Sequence, residues 1–249
     1  GKDALLANTT GCRNVAVGSG ALDSNTTGVQ NEAIGYVALG ANTEGSCNVS
    51  LGSALGDNTT GGNNIGIGFI ALSNNTTASG NVAVGRSALQ ENTTGAENIG
   101  IGCGALKSNT TANYNVAIGG NALLDNTTGT QLVALGTAAL ANNTTANANT
   151  ALGHSAMETN TTGTANVAVG SLSLDANTTG SNHTAVGRQA LSANTTSSSN
   201  TALGGNTLAT NTTGNFNTAV GYDALLSNTT ASNNTAVGTN SMRLNTTGA

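Results

Sequence analysis

Aliphatic residues fall in short clusters between polar corners, and the order of clusters repeats. Val15-Ala16-Val17-Gly18 is followed by Ala21-Leu22, then by Asn25-Thr26-Thr27, and the cycle resumes at Asn31. Asn-Thr pairs begin at Asn8, Asn25, Asn42, Asn58 and onward to Asn245, each step being 17 residues except the 16 between Asn42 and Asn58. The short step carries only Ser53 between Gly52 and Ala54, where other copies have two residues. Counted from the Asn, the unit reads N-T-T-G-x-x-N-[VT]-A-[VIL]-G-x-x-A-L-x-x, in about fifteen copies.

Positions 7–11 alternate and carry β-branched residues, which predicts a strand. The Ala-Leu pair at positions 14 and 15 predicts a second short strand. Glycine at position 11 and small residues at position 4 predict bends. A unit this short cannot bury its own apolar residues, but stacked copies can, because like positions superpose. The fold class expected is all-β: a β-solenoid of about fifteen coils, stacked about 4.8 Å apart as neighbouring strands are. Residues 1–249 are expected to form one continuous repeat region, a segment of a longer fibre.

Comparison among the copies separates constrained from free positions. Positions 1 and 2 are Asn and Thr throughout, position 3 departs from Thr only at Glu44, and position 7 departs from Asn only at Leu132 and His183. Position 10 is always Val, Ile or Leu, position 11 always Gly, and position 15 Leu except at Met157 and Met242. Positions 8, 10 and 15 are expected to supply the aliphatic interior. Position 9 is always Ala, Gly or Ser although it lies on the opposite strand face. Either the 9/11 face packs closely on a neighbouring chain, or the orientation is reversed and the aliphatic 8/10 face meets one. Both orientations predict self-association.

The repeated asparagines have two readings. Stacked amides can bond to the copies above and below, so Asn8, Asn25, Asn58, Asn75, Asn92, Asn109, Asn126, Asn143, Asn160, Asn177, Asn194, Asn211, Asn228 and Asn245 form a structural ladder. The same fourteen begin Asn-Thr-Thr, an acceptor pattern for N-glycosylation. Glu44 removes the acceptor pattern at Asn42 while the Asn-Thr pair remains, which favours structure. A glycan array at the corner stays open as the alternative.

Segments such as Asn14–Gly18, Asn115–Gly119, Asn217–Gly221 and Asn234–Gly238 resemble the head repeats of trimeric autotransporter adhesins and the repeats of phage tail-fibre and related surface-fibre proteins. That resemblance implies β-rolls associated as a trimer or filament, exposed extracellularly, on a cell surface or on a virion, and used to attach to a host or surface receptor. The unit here is longer than the usual adhesin head repeat, and the Asn-Thr-Thr corner is additional.

Composition agrees with a scaffold. Charged residues make up 7%, aromatics 2%, and there is no Pro or Trp. A net charge of −5 offers no basic patch for nucleic acid, and no apolar run is long enough to span a membrane. Cys12, Cys47 and Cys103 are odd in number and irregularly spaced, expected as small semi-buried side chains without a disulfide framework or metal site. His154 and His183 occupy different positions of the unit, and acids such as Asp23, Asp125 and Asp223 form no recurring pair. The sequence therefore predicts a non-enzyme, with no catalytic, cofactor-binding or metal residues. The alternative function is ice binding through the repeated Thr9/Thr10-type pairs, of which only one residue can face outward on a strand.

Overall fold

The computed structural model describes residues 1–248 and contains strands and turns but no helix. It comprises two compact units, Gly1–Thr128 and Gly129–Ala249. Unit 1 holds β1 (Val15–Val17), β2 (Glu32–Ile34), β3 (Val49–Leu51), β4 (Ile65–Ile67), β5 (Val82–Val84), β6 (Ile99–Ile101) and β7 (Val116–Ile118). Unit 2 holds β8 (Val133–Leu135), β9 (Thr150–Leu152), β10 (Val167–Val169), β11 (Thr184–Val186), β12 (Thr201–Leu203), β13 (Thr218–Val220) and β14 (Thr235–Val237). Within each unit every strand pairs in parallel with the next, position for position, as in Val82↔Ile99 and Thr201↔Thr218. Each unit is a β-solenoid with one strand per coil, as the 17-residue period predicts.

The strand faces opposite to the way the apolar interior was assigned. In every strand the middle residue, position 9, is the least exposed, while positions 8 and 10 are half-buried or exposed. Space decides this. Position 9 points at the Ala-Leu pair of the preceding coil: a Cβ added to Gly66 would lie 3.1 Å from the Ala54 methyl and 3.2 Å from Leu55 Cγ. The lumen holds alanine there and nothing larger, apart from Ser50, whose hydroxyl donates to the Ala54 carbonyl at 2.8 Å. The interior of a coil is therefore lined on one side by the small residue of position 9 and the Ala-Leu pair, as with Ala83, Ala88 and Leu89. Two asparagine side chains line the other side, as with Asn75 and Asn81.

Positions 14 and 15 do not form a second strand. They lie in two successive turns, closed by Ala88 N–H donating to Gly85 O (3.3 Å) and Asn92 N–H donating to Leu89 O (3.2 Å). The leucine of this pair sits in the left-handed region, with φ 51° at Leu22, Leu39 and Leu89, and positions 6 and 13 do so in most coils. Among the described residues forty non-glycine residues have positive φ, against a few per cent in ordinary folds. What holds them there is bonding between coils: Leu22 N–H donates to Ala38 O and Val37 N–H to Ser19 O, each at 3.0 Å. In the short coil Ser53 stands alone between the bends, Gly52 relaxes to φ 92°, and Val49↔Ile65 pairing restores the register.

Candidate functional site: the asparagine ladders and the outward strand face

Position 1 builds the first ladder. Asn92 Nδ2 donates to Asn75 Oδ1 at 3.0 Å and to the Gly95 carbonyl of its own coil at 2.8 Å, and its Oδ1 accepts from Asn109 Nδ2 at 2.8 Å. Position 7 builds the second. Asn81 Nδ2 donates to that same Gly95 carbonyl at 2.9 Å, and Asn81 Oδ1 accepts the backbone N–H of Asn98 at 3.0 Å. Each position-4 carbonyl so placed takes one amide from each ladder. Buried amides are tolerated in the lumen because each has such partners.

The threonines divide as a strand corner requires. Thr26 O accepts the N–H groups of Thr9, Thr10 and Gly11 at 3.0, 3.1 and 3.2 Å, and the Thr9 hydroxyl at 2.8 Å. Position 2 is thus tied to the next coil, whereas position 3 is exposed in every copy. Glu44 is accommodated because the coil uses only its backbone N–H, which donates to Thr59 O at 3.2 Å.

Of the fourteen Asn-Thr-Thr asparagines, Asn8 and Asn245 are half-buried. Asn25, Asn58, Asn75, Asn92, Asn109, Asn126, Asn143, Asn160, Asn177, Asn194, Asn211 and Asn228 are 0% exposed. A glycan attached to Nδ2 at those twelve would have no path to solvent, so the buried geometry speaks for the ladder. The cysteines are not semi-buried as expected: all three are free and exposed, because they sit at the outward positions 5, 6 and 12.

His183 stands in for a ladder asparagine. Its N–H donates to Asn166 Oδ1 at 2.9 Å, Nδ1 accepts from Asn200 N–H at 3.2 Å, and Nε2 lies 2.7 Å from Ser197 O. Nδ1 as acceptor places the proton on Nε2, which donates to that carbonyl as an Asn amide would. Burial is the main influence and lowers the pKa of His183 below 6.5. The unfolded chain therefore takes a proton before the folded one, and the contribution to stability is complete above about pH 6.5 and declines as pH falls through that value. Denaturant midpoints at pH 7.5 and 5.5 should fall on acidification for the natural chain, and His183→Asn should remove that part of the fall.

The outward strand face is the other feature of note. Position 10 is aliphatic in all fourteen strands, and position 8 is Val or Ile in six strands of unit 1 and Thr in five of unit 2. Exposure reaches 69% at Val237 and 55% at Val17, with Ile34 and Leu152 at 44% each. At about 50 Å² of exposed side chain each, the outward positions of one unit present on the order of 700 Å². Part of it is Glu32 in unit 1 and five Thr in unit 2, so the apolar share is comparable with the roughly 300–600 Å² of the largest apolar patch on a typical monomer, while the whole face approaches the per-partner area of a standard interface. Sequence reading offered this face only as the second of two orientations; the one charged residue it carries, Glu32 at position 8, was the available sign that the position meets solvent.

Among the described residues there is no pocket, no group of three His, Cys, Asp or Glu side chains able to hold a metal, and no helix long and apolar enough to cross a membrane. No family model matches the chain, and neither a curated protein nor a solved structure matches it.

Proposed function

We propose that the chain is a non-catalytic structural segment of an extracellular fibre or filament, in which copies pack side by side through the outward 8/10 strand face. The observation that carries this reading is the aliphatic ladder at position 10, unbroken within each unit and half-buried or exposed in every strand. A free chain leaves that area in water; association removes it at about 25 cal/mol per Å² before the entropic cost of assembly. Likeness to adhesin and surface-fibre repeats supports a role in attachment outside the cell, with a trimer as the expected assembly.

A second reading, ice binding, rests on different residues from those the sequence suggested. Thr184, Thr201, Thr218 and Thr235 open four successive strands of unit 2, with Val186, Leu203, Val220 and Val237 beside them on the same face. A regular array of hydroxyl and methyl groups on such a face suits ordered water.

One experiment separates the two. Sedimentation of the purified chain should give a multiple of 24.1 kDa. Ile101→Lys with Ile118→Lys, both at exposed positions of this face, should return it to one copy while changing folding stability by less than about 1 kcal/mol, as exposed substitutions do. A single copy at every concentration, with growth-arresting activity on ice crystals, would replace the first reading by the second.

A further inference from the structure

Glu32 opens β2 and is exposed, with Val15 and Val49 as its partners in the flanking coils and Ile34 beside it on the same face. The other outward strand positions are all Val, Ile, Leu or Thr. No strand of this face therefore presents Lys, Arg or His, whatever the relative orientation of two copies. The strands packed against β2 carry no titratable side chain. Closest to these strands along the chain are Arg13, two residues before β1, Cys47, two before β3, and Tyr36, two after β2, all three at exposed turn positions.

On the reading that copies associate through this face, we infer that Glu32 couples assembly to proton uptake, so that acidification strengthens association of this chain with its own copies. Covering a carboxylate with aliphatic strands removes its water and supplies no cation in return, which favours the neutral acid. Where the copies run parallel and in register, their Glu32 carboxyls also approach one another, and like charge acts in the same direction. The sign follows from linkage. Far above the carboxylate range Glu32 is charged in both states and association is weakest. As pH falls the assembled state takes up protons ahead of the free chain, so association tightens on acidification.

Sedimentation equilibrium of the full chain at pH 7.5, 6, 5 and 4.5, beside Glu32→Gln and Glu32→Thr, tests this. Threonine already occupies position 8 in five strands of unit 2, so the second variant keeps a residue the coil accepts. The natural chain should associate several-fold more tightly at pH 4.5 than at 7.5. Both variants should associate at pH 7.5 at least as tightly as the natural chain does at 4.5, and their dependence on pH should be flatter. An equal pH response in all three chains would overturn the inference while leaving the interface in place. Weaker association of the natural chain on acidification would also overturn it, and would indicate instead that a cation such as Arg13 of another copy pairs with Glu32. Single copies of all three chains at every pH and concentration would remove the interface and the inference together.

Discussion

Gly187→Ala is expected to lower the stability of its unit by about 3–5 kcal/mol, enough to unfold a marginal domain. Two independent effects converge at this position. The backbone sits at φ 135°, outside the small left-handed region that L-residues can visit and in territory open to glycine. An added Cβ would also lie 2.3 Å from the Gly204 carbonyl oxygen and 2.4 Å from its carbon, the next coil's equivalent residue. Relief would require the two coils to separate, and separation would break the parallel bonds between β11 and β12 along with Gly204 N–H to Val186 O at 2.7 Å. The control is Gly120→Ala, at the neighbouring position 12, where an added Cβ meets nothing within 4 Å. It should be neutral or slightly stabilising, since alanine restricts the unfolded chain. Denaturant midpoints for the two variants measure the contrast; equal midpoints would mean that position 11 is glycine for some reason other than this contact.

How much of this was legible beforehand depends on which physical quantity is asked for. The coil length was, because only a full circuit of 17 residues brings Asn8, Asn25 and Asn42 into one column. The two ladders were legible as well, since asparagine holds position 1 in every copy and position 7 in all but Leu132 and His183 while the residues around them vary. Which face of the strand turns inward was not. Val-Ala-Val is the same alternation seen from either side, and the usual preference for burying the larger residue points the wrong way in a lumen too narrow for it. The deciding facts were steric, the Ala54 and Leu55 side chains standing opposite position 9. The left-handed residues were equally hidden. Val37 and Ile70 are among the poorest candidates for positive φ, and only bonds to adjoining coils keep them there, at 3.0 Å to Ser19 O and 3.1 Å to Ser53 O. The candidate interface followed from the same inversion: once the small residue at position 9 points inward, the aliphatic pair has nowhere to go but out.

The asparagine ladder should respond to charge more than to size, and Asn92 is the place to measure it. Asn92→Ala removes both donations from Nδ2 and the acceptance from Asn109, leaving Asn75 Oδ1 and one Asn109 proton without their partner in a site that is 0% exposed. The Gly95 carbonyl keeps its second donor, Asn81. Two stranded polar groups and a small void together come to about 3–4 kcal/mol. Asn92→Asp has nearly the shape of the natural residue yet should be worse at neutral pH. The carboxylate sets a second oxygen against Asn75 Oδ1 and Gly95 O, acceptor against acceptor, and leaves a buried charge with no cation near it. Protonation restores a donor, so this variant should regain stability as pH falls, opposite in direction to the acid weakening expected from His183. Denaturant midpoints of both variants at pH 7.5 and 4.5 decide the matter. If the aspartate variant at pH 7.5 is as stable as the natural chain, the amide protons are not what joins one coil to the next, and the ladder is packing alone.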